Sequence, residues 1–134
     1  MFFIFDSNTL ISAILKPAGI PAKAVSMAVE KGILCFSSET MKEFLEVIGR
    51  AKFDKYLSFK EREMSAQQIL SKAEIHRVNN LPGISCRDPF DIKFLTLAVI
   101  VKASCIVSGD SHLKELHPFH GIPVLSPSDF LIQF

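Results

Sequence analysis

The chain has 134 residues and a formal net charge of +1 at pH 7. Hydrophobic residues make up 49% of the sequence, which excludes an intrinsically disordered protein, and the balanced charge provides no global attraction for a polyanion such as nucleic acid. The length suits one domain with a single core, which we place at residues 1–134.

The sequence indicates a protein that stays in solution in the cytoplasm. Asp6 interrupts the apolar start of the chain, which also lacks the basic region of a secretion signal. The longest apolar run, residues 94–101, is far shorter than the roughly 18 residues that a membrane span needs. Three cysteines are too few for a disulfide framework, so we expect buried, reduced thiols at Cys35, Cys86 and Cys105.

Short apolar runs alternate with helix signals along the chain. The runs predict strands over residues 1–5, 33–36, 75–78, 104–108 and 122–125. Helical spacing of apolar residues predicts helices over residues 10–15, 21–31, 39–50, 58–74, 91–103, 111–116 and 127–132. The order predicts an α/β fold with a mostly parallel sheet of about five strands and helices on both faces.

Two carboxylates follow apolar strands. Asp6 ends the first run, and Asp110 follows the run 104–108 after Gly109. The carboxyl ends of parallel strands lie at one edge of a sheet, where ligands bind, so Asp6 and Asp110 are expected to meet there. Either acid could instead serve only as the N-cap of the next helix.

Two further acids lie near predicted helix starts. Asp91 begins the apolar helix, where an acid caps the helix or interacts with its positive end. Glu43 lies in the first turns of the helix after the second strand, on the same edge as Asp6. Its spacing from Thr40 also fits a capping box, in which Glu43 would serve only the backbone of Thr40.

Four acids at one edge would need a compensating charge. Two unit charges ~4 Å apart repel by about 4 kcal/mol at an effective dielectric of 20. A divalent cation is the simplest compensation. Oxygen ligands, without His or Cys at metal-binding spacing, favour Mg²⁺ or Mn²⁺ over zinc.

Four motifs resemble those of a PIN domain. They are Phe-Asp-Ser-Asn-Thr at 5–9, Glu-Phe-Leu-Glu-Val-Ile-Gly-Arg-Ala-Lys-Phe at 43–53, Arg-Asp-Pro-Phe-Asp-Ile-Lys-Phe-Leu at 87–95 with Ala98, and Ile-Val-Ser-Gly-Asp at 106–110. The motifs span essentially the whole chain in order. Within the family, the chain is similar to toxins of bacterial and archaeal type II toxin-antitoxin systems.

The resemblance implies a three-layer α/β/α sandwich and a ribonuclease that depends on Mg²⁺ or Mn²⁺. The implied metal ligands and catalytic acids are Asp6, Glu43, Asp91 and Asp110, with Asp88 as an additional metal-binding acid. The implied supporting residues are Asn8 and Thr9 beside the first acid, Ser108 in the fourth motif, and the basic Arg50 and Arg87. Thr9 or Ser7 would orient the water or a carboxylate, and both arginines could contact phosphate or form ordinary surface ion pairs.

The resemblance also implies partners. These are an RNA substrate at a cleft rimmed by Lys16, Arg50, Lys52 and Arg87, a cognate antitoxin, and a second copy in a homodimer, with no role for a membrane. Four apolar residues could form an interface or close the core, namely Phe53, Tyr56, Leu57 and Phe59.

One position departs from the family pattern. A further acid often stands two residues after the fourth-motif Asp, and here that position is His112. His112 could weaken metal binding, contact a phosphate or be a plain surface residue. It also gives weight to an alternative function, a catalytically weak or inactive module that binds RNA or protein.

A second alternative is a phosphoryl-handling α/β domain such as a receiver or a small phosphatase. Asp6 lacks the adjacent second acid of a receiver and the Asp two residues later that a haloacid-dehalogenase-like phosphatase needs. The sequence therefore disfavours this class.

Overall fold

The structure, a computed structural model, describes residues 1–79, 83–84 and 88–134. Within these residues the chain forms five strands, β1 (Phe2–Phe5), β2 (Ile33–Ser37), β3 (Glu74–His76), β4 (Cys105–Val107) and β5 (Val124–Leu125). The helices of the same residues are α1 (Ser7–Leu15), α2 (Ile20–Lys31), α3 (Ser38–Ile48), α4 (Phe59–Ser71), α5 (Ile92–Val101), α6 (Ser111–Lys114) and α7 (Pro127–Gln133).

The sheet has the strand order β3-β2-β1-β4-β5, and its described strand pairs are all parallel. The chain runs outward from β1 to β3 and then returns to the other side of β1 with β4, so the strand order reverses beside β1. Phe5 pairs with Val107, which brings the carboxyl ends of β1 and β4 together. Ligands of open parallel sheets bind in the crevice at such a reversal.

The pleat of the sheet sorts its side chains into two cores. Phe3 and Phe5 face one side, where they pack with α1, α2, α3, α4 and α7. Ile4 faces the other side and packs with α5 and α6. The predicted three-layer α/β/α sandwich around a parallel sheet is therefore confirmed.

Helix starts differ from the predicted ones by a few residues. The first helix begins at Ser7 rather than residue 10, because the Asp6 side chain caps it by accepting a hydrogen bond from Thr9 N at 2.9 Å. The side chains of Ser58 and Ser126 cap α4 and α7. Between the predicted strand 75–78 and the predicted helix 91–103, residues 80–82 and 85–87 lie outside the described residues, and Pro89–Asp91 forms a 3₁₀ turn.

Cys35 and Cys105 are buried free thiols, as expected, and burial raises the pKa of each to about 12. Both thiols therefore stay protonated at neutral pH. Cys86 lies outside the described residues. Among the helices that the structure describes, none combines the length and the apolar character needed to cross a bilayer.

The four apolar candidates for an interface divide into two pairs. Phe53 and Leu57 are partly buried and pack against the first core. Tyr56 and Phe59 have 62% and 54% of their surface exposed. The first pair therefore helps to close the core, and the second remains available at the surface.

Arg62, in a helix with both polar and apolar residues, is fully buried. Its guanidinium donates to the carbonyls of Ile48 (2.8 Å), Leu57 and Arg50 (3.3 Å), and to Asp54 Oδ1 (3.0 Å). These bonds satisfy backbone groups between the end of α3 and the start of α4. Arg62 therefore fixes the connection that presents Tyr56 and Phe59.

We expect Arg62→Ala to lower the free energy of unfolding by about 3 kcal/mol, because it leaves several buried carbonyls without a donor. Lys60→Ala, an exposed change in the same helix, is the control and should alter stability by less than about 0.5 kcal/mol. Urea denaturation measures both values. Equal effects of the two variants would contradict the structural role of Arg62.

Candidate active site

The Asp6 carboxylate lies at the carboxyl end of β1 with 6% of its surface exposed. Ser108 Oγ donates to Asp6 Oδ2 from the end of β4, and Thr9 N donates to Oδ1 at 2.9 Å. Burial raises the pKa of Asp6, an effect that the hydrogen bonds from Ser108 and Thr9 oppose and the negative charge of Asp110 reinforces. Asp6 is thus held in one orientation in a buried position that disfavours its ionised form.

Asp110 is joined to Asp6 through Ser108. The Asp110 N–H donates to Ser108 Oγ at 2.9 Å, so one hydroxyl bridges the two acidic positions. Asp110 Oδ1 accepts from His112 N at 2.9 Å and caps the short helix α6. The N-cap alternatives for Asp6 and Asp110 both hold, and both residues nevertheless stand at the same edge of the sheet.

Asp91 extends this acidic edge from the start of α5. It is 9% exposed, and its side chain makes no cap hydrogen bond to its helix. Burial raises the pKa of Asp91 to about 6, the negative charges of Asp88, Asp110 and Asp6 reinforce the shift, and Lys93 opposes it. Asp88 itself accepts from Phe90 N at 3.0 Å and caps the 3₁₀ turn before Asp91.

Glu43 reaches the edge from α3. The capping box of this helix is formed by Ser37 and Thr40, so Glu43 is not occupied with the backbone of Thr40. Glu43 Oε2 accepts from Ser7 Oγ at 2.7 Å, and Glu43 Oε1 lies 3.2 Å from Lys93 Nζ. Glu43 is therefore connected to the residue next to Asp6 and to the lysine that acts on Asp91.

Lys93 is a site residue that the sequence reasoning missed. Its side chain is only 13% exposed, and it is the one charged residue in the sequence of α5. A solitary lysine near the start of an otherwise apolar helix was the available signal, because such a residue needs a partner when its helix is buried. Here that partner is Glu43.

Some of the predicted supporting residues contact Asp6, and others lie away from it. Thr9 and Ser108 are buried against Asp6, whereas Asn8 is exposed. Arg50 lies seven residues beyond Glu43 and forms a surface ion pair with Glu46 at 3.1 Å. Arg87 lies outside the described residues.

The other basic and imidazole side chains stand apart from the carboxylates or at their margin. Lys16 follows the far end of α1, about 13 Å along the helix from its start beside Asp6, so it does not rim this edge. His112 is exposed, and its Nδ1 lies 3.8 Å from Asp110 Oδ1. His117 accepts a backbone hydrogen bond from Val124 at 2.9 Å, which gives it a structural role.

The edge suits a hard divalent cation in its charge and donor chemistry. The negative charge of Asp110 raises the pKa of Asp6, the charges of Asp6 and Asp110 raise the pKa of Asp91, and all three residues offer oxygen donors. Within residues 1–79, 83–84 and 88–134, no three Asp, Glu, His or Cys side chains form a group that could hold an ion as they stand. The electrostatic coupling is thus present, and ligation would require the side chains to draw closer.

A family model described as the PIN domain matches residues 3–112, more than half of the chain. The chain belongs to the PIN domain family. The match includes the four acids on the edge between β1 and β4, and it argues against the receiver and phosphatase alternatives.

One relative and several solved structures are similar to this chain. The uncharacterized protein MJ1680 of Methanocaldococcus jannaschii is 29% identical over 140 residues, which cover 98% of this chain and 90% of the relative. VapBC2 from Rickettsia felis, solved with a DNA fragment from its promoter, has a similar chain with a TM-score of 0.68 and 14% identity, covering 94% of this chain and 98% of that one.

Two further structures share the PIN fold. PAE2754 from Pyrobaculum aerophilum aligns with a TM-score of 0.67 at 13% identity, over 99% of this chain and 88% of that one. DNA-bound VapBC from Salmonella typhimurium aligns with a TM-score of 0.62 at 17% identity, over 95% and 98%. At these identities the likeness establishes the fold.

We expect Asp91→Asn to stabilise this PIN domain at alkaline pH. The Asp91 pKa is about 6 in the folded chain and near 3.8 when unfolded, so the folded state binds more protons between these values and stability falls as pH rises through that window. Replacing Asp91 with Asn removes this loss of stability, because Asn carries no charge. In metal-free protein, the free energy of unfolding should exceed wild type by about 1–3 kcal/mol at pH 8 and match it near pH 4.

Asp129→Asn, in the first turn of α7, is the matched control. It removes an acid outside this edge and should give no gain at pH 8. A pH-independent effect of Asp91→Asn would contradict the electrostatic interpretation.

Proposed function

We propose that this single-domain PIN protein is an Mg²⁺- or Mn²⁺-dependent endoribonuclease that acts in the cytoplasm as the toxin of a toxin-antitoxin pair. One observation carries the proposal. Asp6 and Asp91 are buried at the edge between β1 and β4, and the negative charge of Asp110 acts on both of them. Like charges gathered at a buried edge cost free energy, and a bound divalent cation would offset that cost.

Asp6, Glu43, Asp91 and Asp110 would hold the metal, with Asp88 beside them. A bound Mg²⁺ or Mn²⁺ supplies Lewis-acid activation of water and stabilises charge on a phosphodiester. Ser108 and Thr9 orient Asp6, and Ser7 orients Glu43 through its 2.7 Å hydrogen bond. These hydrogen bonds fix the orientation of the carboxylate oxygens. Such orientation normally contributes strongly to metal affinity.

Two of the solved structures are of VapBC proteins with DNA, in which the similar chain has a partner. We extend this to an antitoxin partner for the present chain and to a homodimer. The exposed rings of Tyr56 and Phe59 offer apolar area for one of these contacts. A small DNA-binding protein encoded in the neighbouring reading frame would support the toxin assignment.

We expect purified protein to cleave single-stranded RNA when Mn²⁺ or Mg²⁺ is added, and EDTA to stop the reaction. Asp6→Asn should reduce the cleavage rate by more than about 100-fold, because changes merely behind a metal ligand already cost 10- to 100-fold. Asp129→Asn should cleave like wild type. Gel analysis of labelled RNA gives the rates. RNA that is bound but left intact by wild type with Mn²⁺ would refute the nuclease proposal.

The second candidate is a binding module without turnover. Two observations favour it: the described acids are not gathered around an ion position, and His112 stands beside Asp110 where the family often has an acid. Binding of metal distinguishes the candidates, because a degraded site would have no saturable Mn²⁺ affinity that depends on Asp6.

We expect calorimetric titration to show Mn²⁺ binding that Asp6→Asn abolishes. Ser108→Ala should weaken the affinity by about 10-fold, since Asp6 loses the hydroxyl that orients it. Ser108→Thr keeps the hydroxyl and should bind within about 2-fold of wild type. Identical affinities for all four proteins would place the metal elsewhere.

A further inference from the structure

Phe90 exposes 73% of its surface, although a buried phenylalanine would contribute roughly 1.5–3 kcal/mol to stability. It lies in the 3₁₀ turn between Asp88 and Asp91, and Lys93 Nζ lies 5.6 Å from the centre of its ring and 3.2 Å from Glu43 Oε1. The turn is held by the 3.0 Å hydrogen bond from Phe90 N to Asp88 Oδ1. The exposed ring is therefore presented by an ordered turn.

The Phe90 ring borders a cleft of about 310 Å³. Pro89, Ile92 and Val78 give the cleft apolar walls, and Lys93 lies between it and Glu43. Its volume is at the lower end of the range for ligand pockets, about 300–1,000 Å³, which suits one flat group rather than a folded chain. Lys93 makes the cleft continuous with the carboxylate site.

The charges in the cleft indicate which part of a nucleotide it would accept. Glu39 lines the cleft and is exposed there, so a phosphate would be repelled. A carboxylate instead accepts hydrogen bonds from the N–H groups at the edge of a base. The ammonium of Lys93 lies 5.6 Å from the centre of the Phe90 ring and is paired with Glu43, so it links the cleft to the acidic edge.

We propose that Phe90 and this cleft bind one unpaired nucleobase of a single-stranded RNA beside the acidic edge. The inference rests on the proposed function, because it names a subsite for the same substrate. The base stacks on the Phe90 ring between the apolar walls, and its edge faces Glu39. A paired base cannot enter, since both of its faces are covered by neighbours in a duplex, so the subsite selects unpaired RNA.

The test uses binding without cleavage. A fluorescein-labelled, mixed-sequence RNA of about ten nucleotides is titrated by anisotropy with the full chain carrying Asp6→Asn. Adding Phe90→Ala should raise the dissociation constant by about 5-fold or more, the usual contribution of one stacked base, and Phe90→Trp should restore binding. Ile132→Ala, which removes an exposed apolar side chain of α7, should change binding less than 2-fold.

Two probes identify the part of the RNA that Phe90 contacts. An abasic ribose-phosphate oligomer of the same length should bind Asp6→Asn and Asp6→Asn/Phe90→Ala equally, and the RNA annealed to its complement should lose the dependence on Phe90. An undiminished effect of Phe90→Ala on the abasic oligomer would overturn base stacking. Loss of antitoxin binding with unchanged RNA binding would overturn it as well, and would assign Phe90 to a protein contact.

Failure of this inference is distinguishable from failure of the proposed function. Cleavage by wild type with unchanged RNA affinity in Phe90→Ala would reject the subsite and leave the nuclease intact. Binding that depends on Phe90, without cleavage by wild type, would support the subsite and reject the nuclease. Thermal unfolding of Phe90→Ala should match that of its parent because the ring is exposed.

Discussion

Burial of the Asp6 carboxylate is the constraint around which the functional edge is arranged. A buried charge is tolerated only when hydrogen bonds or opposite charge compensate it. Pairing of Phe5 with Val107 sets β4 so that Ser108 supplies one bond, and the cap of α1 supplies another from Thr9. Among the residues that the structure describes, Asp6 forms no ion pair, and Asp91 and Asp110 add like charge nearby.

Much of the fold follows from local pattern. Apolar runs that end in an acid or a turn residue locate β1 and β4, and their helical connections make the sheet parallel. Asp6 and Asp110 could be placed at one edge by that reasoning alone. The strand order was not predictable in the same way, because it depends on pairings between segments distant in sequence, such as Phe3 with both Leu34 and Cys105.

Sequence spacing alone does not decide which of two possible capping boxes forms at the start of α3. Ser37 to Thr40 and Thr40 to Glu43 both have capping-box spacing, and the first is used because β2 ends at Ser37. Because Glu43 is not used in the capping box, its carboxylate accepts a hydrogen bond from Ser7 and pairs with Lys93.

In sequence, Arg62 resembles any surface arginine of a helix. It is nevertheless buried, because the chain after α3 folds back and surrounds its guanidinium with carbonyls.

The bridge from Ser108 to Asp6 joins residues 102 positions apart in the chain. A ribosome must therefore release most of this protein before Asp6 acquires its partner. Loop closure over such a distance costs entropy, which the pairing of β4 beside β1 helps to offset. Any shorter nascent fragment contains β1 and Asp6 but lacks the assembled edge. An activity that depends on this edge therefore cannot appear until β4 has been synthesised.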